Sequence, residues 1–523
     1  MADPIVADII FRNANIITLD PALPRAELVA VRNGKIAGVG QDSDAKHFSG
    51  SKTKTVDCRG KTIVPGFIDA HCHLHSFAES LVTTNLGPDS GVKSISDIQK
   101  KIRELSRYHP PGSWIKCGGY NEFCLSEKRH PNRWDLDIVG SVHPIKLTHR
   151  TGHAHVLNSL ALKIVGVSTE TPDPDGGLIE RDIKTGEPTG LLYGMSDFLS
   201  ELIPRLNKQQ LQFGIKRANI ELLSLGITSI QDASHRNDIE RWHMFQEWKS
   251  QGQFKPRISM LLGQKAFRYY HENNRLLRCQ RRNPPFSGVK IILDQTTGLL
   301  NPAQKDLNEL VFNIHKSGLQ AVIHAIEEPS IETAIDAIAH ALKKHPRSDH
   351  RHRIDHCSVC PPALSKRMGS LGIMVVTQPS FIYYNGDQYL QTVPNYQLKS
   401  LYPIGSLMRS GVHVAGSSDC PIVPPNPLVG IYSAISRMTE AGQIILEKEA
   451  IPRMKALQLF THYAARAVFE EEIKGSITPG KLADLVVLNG DPTKVPTEEI
   501  KRIQVEMTIL NGEVVWDRKK TNR

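Results

Sequence analysis

The chain has 523 residues, of which 40% are hydrophobic and 23% are charged, a composition ordinary for a soluble globular protein. Its 64 basic and 54 acidic residues give a formal charge of +10, but the basic residues are spread out and no nucleic-acid-binding motif accompanies them. No apolar run is long enough to span a membrane, and the eight cysteines lack the spacing of a disulfide framework. We therefore expect a cytoplasmic protein that binds neither nucleic acid nor membrane and has no signal peptide.

Both ends of the chain have the pattern of short β-strands. Apolar runs flank Asn33-Gly34 near one end and Asn511-Gly512 near the other. Asn-Gly between apolar runs predicts a tight hairpin, because both turn positions need a positive φ. Isolated hairpins are only marginally stable. We therefore expect residues 1–64 and 471–523 to form one small β-sandwich domain together.

Residues 65–470 alternate between strand-like and helix-like segments. Apolar spacing of the 3.6-residue type predicts helices at 216–225 and 331–342. The alternation predicts an α/β fold with a parallel sheet, for which a (β/α)8 TIM barrel has the matching size. A segment at about 87–215 is too long for one βα unit and predicts an insertion. The strand-like apolar runs begin at Ile145, Gly226, Arg257, Val289, Leu319, Arg353, Gly372 and Val412.

The first candidate site follows the apolar run from Ile63 to Ile68. His71 and His73 are separated by one residue, and alternate side chains of a strand point to the same face. The two imidazoles therefore converge, an arrangement that suits a divalent transition metal. The alternative is a histidine-rich strand end that binds nothing.

Three later apolar runs also lead to side chains that can bind a metal, namely His324, His356 and Asp419. The C-terminal ends of the strands of an α/β barrel face one common site. We therefore predict that these three residues meet His71 and His73 in the folded protein. Taken singly, the two later histidines could instead be hydrogen-bonded core residues, and Asp419 could be a turn residue or a helix N-cap.

Lys290 lies inside the apolar run from Gly288 to Leu293, where an unpaired charge would be costly. In one interpretation it is a strand-end lysine whose ammonium group reaches water. In the other, CO₂ carboxylates it to an anionic carbamate that bridges two metal ions. The sequence leaves both interpretations open.

Further candidates lie outside these runs. His153 is a candidate substrate contact, and a structural histidine is the alternative. Tyr383 and Tyr384 could line the pocket or could pack against a neighbouring element. Cys357 and Cys360 form the one close cysteine pair, which we interpret as two ordinary thiols because no second pair accompanies them.

Several of these stretches resemble a known family. The run TIVPGFIDAHCH from Thr62 to His73 is similar to the opening motif of the metal-dependent amidohydrolase superfamily. Segments 150–161, 175–179, 226–232, 416–421 and 475–485 resemble its YtcJ-like amidohydrolase 3 group, which includes the N-substituted formamide deformylases. The resemblance covers nearly the whole chain.

The resemblance implies a distorted TIM barrel with a small β-sandwich built from both termini. It implies that His71 and His73 bind one metal ion and that His324 and His356 bind a second. Asp419 would be both a ligand and a proton shuttle. Related enzymes place a bridging lysine at the position of Lys290. One or two zinc ions fit this pattern, as does another divalent transition metal.

The activity implied by the resemblance is hydrolysis of carbon–nitrogen bonds other than peptide bonds in a small-molecule substrate, with linear or N-substituted amides expected. Zinc lowers the pKa of bound water to ~7. The resulting zinc-bound hydroxide would attack the carbonyl carbon while Asp419 carries the proton. A deaminase, an ester or lactone hydrolase and a non-catalytic metal-loaded binding protein are the alternatives. A homodimer is also left open by the sequence.

Overall fold

The computed structural model describes residues 6–139, 142–174, 176–273, 286–295 and 298–521. Asp175, which begins one of the motifs above, lies outside these residues. The chain divides into two compact units. None of the helices in the described residues is both long and apolar enough to cross a lipid bilayer. The first unit comprises Met1–Leu74, Ala218–Leu293 and Pro302–Arg523, and the second comprises His75–Arg217 and Asp294–Asn301.

Eight parallel strands of the first unit form one sheet in chain order, and we number them as barrel strands 1 to 8. Beyond strand 8, the N–H of Asp419 donates to the carbonyl of His71 and the N–H of His73 donates to the carbonyl of Cys420, both at 2.9 Å. These bonds close the chain after strand 8 onto strand 1, and the predicted TIM barrel is confirmed. The strands are Phe67–Cys72, Ile227–Asp232, Arg257–Gly263, Phe286–Ile292, Gln320–Ala325, Arg353–His356, Met374–Thr377 and Val414–Gly416.

Amphipathic helices cover the barrel sheet. The helix Glu328–Lys344 buries Ile331, Ile335 and Ile338 on one side, as the 3.6-residue spacing predicts. The second predicted helix is also confirmed, within Lys208–Ser224. The other helices of the first unit are Ala45–Phe48, Ile239–Ser250, Gln264–Glu272, Gln304–Lys316, Pro362–Leu371, Ser380–Thr392, Asn395–Leu398, Ile404–Arg409, Pro427–Ser436, Arg453–Leu459, His462–Ala467 and Arg518–Thr521.

Two further sheets of the first unit are built from the chain ends. One has four strands in the order Lys35–Gly40, Leu28–Arg32, Ile9–Arg12 and Lys54–Asp57. The other has six, in the order Glu513–Asp517, Val505–Leu510, Leu485–Leu488, Thr62–Pro65, Asn15–Ile17 and Arg25–Ala26. Buried side chains from both sheets and both termini share one core. The domain boundaries at residues 64 and 471 stay a prediction.

Both predicted hairpin turns are confirmed. Asn33 and Gly34 have φ of 49° and 73°, and Asn511 and Gly512 have φ of 50° and 77°. Glycine is needed at the second position for an additional reason at Gly512, where an added Cβ would lie 2.6 Å from a methyl group of Val31. The turn chemistry thus fixes the local pairing of both chain ends.

The second unit includes residues 87–215, whose interpretation as an insertion stays a prediction, and has its own six-stranded sheet. Its strands follow the order Leu178–Arg181, Pro188–Tyr193, Ala154–Leu157, Ile145–His149, Ile115–Tyr120 and Thr84–Asn85. The apolar run at Ile145 therefore belongs to this sheet and not to the barrel, because periodicity identifies a strand but not its pairing partner. The helices in this part of the chain are Leu74–Ser80, Ile95–Ser106, Arg133–Asp137, Ser159–Val165 and Ser196–Leu202.

Candidate metal centre

The candidate ligands lie at the carboxyl ends of five barrel strands. The geometry follows from the parallel sheet, because every strand points its carboxyl end to the same side of the barrel. His71 belongs to strand 1 and is followed by His73, Lys290 lies in strand 4, His324 in strand 5 and His356 at the end of strand 6, and Asp419 follows strand 8.

His71, His73 and Asp419 form the most compact part of the site. The Nε2 atoms of His71 and His73 lie 3.3 Å and 3.1 Å from the same carboxylate oxygen, Oδ1 of Asp419. Within the described residues, this is the one set of three possible ligands whose ligand atoms all lie within 4.8 Å of one another. Two ligands on one tetrahedral zinc ion are about 3.4 Å apart, given bonds of about 2.1 Å. The spacing therefore suits a single divalent ion.

The two later histidines complete the group. The imidazole rings of His71 and His356 are 5.0 Å apart between centroids, and those of His324 and His356 are 4.4 Å apart. Nδ1 of His356 lies 4.0 Å from Oδ2 of Asp419. All five residues predicted to meet are thus brought together. Their binding of one or two metal ions stays a prediction.

His356 and Asp419 both hold the backbone in the left-handed region, with φ of 73° and 58°. Such residues are uncommon and persist only where the surrounding structure over-determines them, often at functional sites. The carboxylate of Asp419 faces imidazoles, and the helix Pro427–Ser436 is capped by Asn426 instead. The helix N-cap interpretation of Asp419 is therefore wrong.

The Nδ1 atoms of three histidines contact polar groups outside the ligand set. Nδ1 of His73 lies 3.0 Å from Oγ of Ser234, and Nδ1 of His356 lies 2.9 Å from Oε1 of Gln378. Nδ1 of His71 lies 2.9 Å from Oδ2 of Asp355, a close ion-pair contact without the alignment of a hydrogen bond. Partners of this kind orient an imidazole and fix which nitrogen remains free for a metal.

Lys290 is only 1% exposed, so its ammonium group does not reach water and that interpretation is wrong. Instead, Nζ donates a hydrogen bond of 2.7 Å to Oδ2 of Asp355. Burial lowers the pKa of Lys290. Carboxylation of this lysine stays a prediction.

The charges of the site follow from burial and close partners. Burial alone would raise the pKa of Asp419, but the contacts of His71 and His73 outweigh it and hold that pKa well below its usual range. Burial lowers the pKa of His356 to about 3. Asp419 is therefore ionised and His356 is neutral, which are the forms in which these side chains bind metals.

The remaining sequence candidates have other surroundings. His153 lies in the second unit, where it is exposed and its carbonyl accepts a hydrogen bond from the N–H of Gly194 at 3.0 Å. The ring of Tyr383 lies 5.9 Å from that of Tyr432, with Nζ of Lys501 5.1 Å away. Burial raises the pKa of the neighbouring Tyr384 to about 12. The roles of these residues as substrate contacts stay predictions.

Sequence reasoning missed the residues that orient the histidines. Asp355 shares a face of strand 6 with Arg353, whose Nε lies 2.9 Å from its Oδ1. A signal for this pair was available, since two charges separated by one residue on a predicted barrel strand need partners when the strand is buried. Gln378 directly follows strand 7, but a single glutamine at a strand end carries no comparable signal.

The site and the fold can be compared with known proteins. The model of a family described as the amidohydrolase family, Amidohydro_3, matches residues 54–516. The N-substituted formamide deformylase of Arthrobacter pascens is 28% identical over 542 residues, which cover 98% of each chain. The YtcJ protein of Bacillus subtilis is 28% identical over 521 residues, covering 94% of this chain and 96% of YtcJ.

One solved structure is similar over nearly its full length. It is an uncharacterized metal-dependent hydrolase from Pyrococcus horikoshii OT3, and it matches with a TM-score of 0.71 and 21% identity. The match covers 94% of this chain and 99% of that chain. At this identity, the similarity concerns the fold.

Proposed function

The chain belongs to the amidohydrolase family, and on that premise we propose that it is a zinc-dependent hydrolase of carbon–nitrogen bonds other than peptide bonds. Linear or N-substituted amides are the proposed substrates, a class supported by the formamide deformylase to which 98% of the chain aligns. The observation that carries the proposal is the convergence of His71 and His73 on one oxygen of Asp419 at the mouth end of the barrel strands.

The residues present fit a zinc ion. Zinc prefers imidazole nitrogen and carboxylate oxygen, and the two Nε2 atoms approach Oδ1 of Asp419 at distances suited to ligands of one ion. That oxygen is buried and has no aligned hydrogen-bond donor, so its lone pairs remain available. We propose His324 and His356 as ligands of a second ion, with carboxylated Lys290 between the two.

A zinc ion held there would supply Lewis acidity, which lowers the pKa of water to ~7. Asp419 moves the proton in this proposal. Because it is ionised, its second oxygen, Oδ2, accepts a proton from water and returns it to the departing nitrogen of the amide. His356, 4.0 Å from that oxygen, is neutral because burial lowers its pKa to about 3.

Lys290 has the environment that carboxylation requires. Only the neutral amine reacts with CO₂. Burial lowers the pKa of Lys290, which favours the neutral amine over the ammonium form. The reaction would replace the ammonium group that now faces Asp355 by an anion. Zinc content with and without bicarbonate therefore reports on this step.

The proposal is tested by measuring amine, ammonia and acid release from a panel of N-substituted formamides, linear amides, cyclic amidines, esters and lactones. We expect equal amounts of amine and acid from the amides, loss of turnover after chelation and recovery on addition of zinc. Protein dialysed without chelator is the control. Full activity after thorough metal removal would contradict the proposal.

The same panel separates the alternatives. Ammonia from cyclic amidines alone would identify a deaminase, and acid from esters or lactones alone would identify an esterase or lactonase. Zinc binding without turnover of any member would point to a non-catalytic binding protein.

A further inference from the structure

Asp355 is a buried carboxylate that no part of the proposed reaction uses. Its side chain is 0% exposed and lies beside the site, on the strand that carries His356. Removing a carboxylate from water is costly unless cations and hydrogen-bond donors replace the water.

Three side chains surround this carboxylate. Lys290 donates to Oδ2 at 2.7 Å, Nδ1 of His71 lies 2.9 Å from the same oxygen, and Nε of Arg353 lies 2.9 Å from Oδ1. Arg353 in turn donates to the carbonyl of Ala70 at 3.2 Å. Because Ala70 immediately precedes His71, this bond ties strand 6 to strand 1 next to the imidazole. The carboxylate is therefore fixed relative to His71 from two directions.

The two nitrogens of His71 face two different carboxylates. Nδ1 faces Asp355 at 2.9 Å, and Nε2 faces Asp419 at 3.3 Å. A carboxylate only accepts hydrogen bonds, so each of them favours a proton on the nitrogen that it faces. Once Nε2 binds a cation, the single proton of the neutral ring must lie on Nδ1, where it faces the carboxylate of Asp355 at 2.9 Å.

We infer that Asp355 is a positioning residue for His71, whose carboxylate holds the proton of the imidazole on Nδ1 and so directs the lone pair of Nε2 to the metal. This inference rests on the proposed function, because it assigns a role within the same site. Arg353 anchors the carboxylate, and Lys290, while it is not carboxylated, also neutralises its charge. Asp355 acts through His71 and touches neither substrate nor metal.

A comparison with His73 gives the expected size of the effect. The corresponding partner of His73 is the neutral hydroxyl of Ser234, at 3.0 Å. Hydrogen bonds to an ionised acceptor are roughly twice as strong as neutral ones. Loss of the Asp355 charge should therefore weaken metal binding more than loss of the Ser234 hydroxyl.

The test measures zinc affinity by competition with a chelator in bicarbonate-free buffer, where Lys290 is not carboxylated. We expect Asp355→Asn to weaken zinc binding by about 10- to 100-fold and Ser234→Ala to weaken it less. Asp355→Glu, which keeps the charge, should recover part of the loss. Urea unfolding of the zinc-free proteins shows whether the variants are folded, and that stability should not track the change in affinity.

A second measurement needs no variant at Asp355. ¹⁵N NMR of the zinc-loaded protein with labelled histidine should show the proton of His71 on Nδ1, with the signal assigned by its loss in His71→Gln. A proton on Nε2 would overturn the inference, as would unchanged zinc affinity in Asp355→Asn. Failure of the unaltered protein to bind zinc would contradict the proposed function as well, so the two failures are distinguishable.

Discussion

The barrel has histidines at both ends of its strands, and the two groups differ in what their ring nitrogens meet. At the carboxyl end, three histidines of the candidate metal centre (His71, His73 and His356) face the carboxylate of Asp419. At the amino end, His315, His350 and His352, which we call the amino-end histidines, form a chain of hydrogen bonds with one another and with backbone groups. The same residue type therefore serves two purposes in one barrel.

The proton positions of the amino-end chain are determined by its partners. The N–H of Ala321 donates to Nδ1 of His352 at 2.8 Å, so the proton of that ring lies on Nε2. Nε2 then donates to Nδ1 of His315 at 2.8 Å, and Nε2 of His315 donates to the carbonyl of His345. Every nitrogen in this chain has a neutral partner.

The role of a buried histidine in this barrel depends on the partners of its two ring nitrogens. Neutral backbone groups and a neighbouring imidazole use both nitrogens of the amino-end rings and leave no lone pair for a ligand. In the candidate metal centre, Nδ1 of His71 and Nδ1 of His73 each contact a polar side chain. The Nε2 atoms of both rings are left facing the same carboxylate, that of Asp419. The first arrangement supports the fold, and the second can hold an ion.

The difference between the two ends is tested by removing the proposed proton carrier, Asp419, at one end and a histidine at the other. We expect Asp419→Asn to lower kcat by about 10²- to 10⁴-fold, the usual contribution of general acid–base catalysis, with a small change in thermal midpoint. His352→Leu should retain kcat per folded molecule. Both are measured on the best amide of the panel. A similar loss of kcat in folded His352→Leu would show that the two ends are not separate in function.

The same amino-end variant should have its main effect on stability. His352→Leu leaves the N–H of Ala321 and Nδ1 of His315 without their partners. Each such group costs about 1–3 kcal/mol of the free energy of unfolding. Urea denaturation measures the loss, and zinc content should stay unchanged. His243→Gln, at an exposed histidine, is the control and should change stability by less than about 0.5 kcal/mol.

The neutral state of the amino-end chain also predicts a pH dependence. Burial lowers the pKa of His315, His350 and His352 from the usual 6.5. The unfolded chain then binds more protons than the folded one, so this stability is complete above pH 6.5 and is lost as the pH falls toward the lowered values. Each histidine contributes a slope of at most about 1.4 kcal/mol per pH unit. Urea curves of His352→Leu between pH 6.5 and pH 5 should therefore be less pH-dependent than those of the parent. An identical slope would contradict the chain of neutral rings.

The smallest expected effect concerns the number of zinc ions in the candidate metal centre. With bicarbonate present, we expect two zinc ions per chain in the parent and one in Lys290→Met, because the carbamate would be lost. Lys474→Met is a matched control, since Lys474 is also buried and donates to Ser229 at 2.9 Å. Zinc content measured by mass spectrometry checks both variants. Equal zinc content in the parent and Lys290→Met would leave Lys290 as the counter-ion of Asp355.

Much of the fold was predictable because its signals are local. Asn-Gly turns, 3.6-residue periodicity and short apolar runs each depend on a few neighbouring residues, and they identified both hairpins and barrel strands 2 to 8. The run at Ile145 shows the limit of such signals. Its pattern is that of a strand, yet only long-range pairing with Ile115–Tyr120 and Ala154–Leu157 places it in another sheet.

The candidate site was predictable to the level of residues but not of atoms. Parallel strands present their carboxyl ends together, so His324, His356 and Asp419 could be grouped with the first two histidines before their distances were known. The partner of Lys290 could not be predicted, because Asp355 lies 65 residues further along the chain. The residues near Lys290 in the sequence do not indicate which carboxylate its side chain will contact.

His352 and His356 flank the same short strand, four residues apart. The amino-acid order alone establishes that one precedes the strand and the other ends it, and hence which of them lies on the side where barrel sites form. Only the folded chain determines that the first meets a backbone N–H and another imidazole, whereas the second meets a glutamine and a carboxylate. The physical reason is that strand direction is a property of the local chain, while the partner of each nitrogen is supplied by strands and helices distant in sequence.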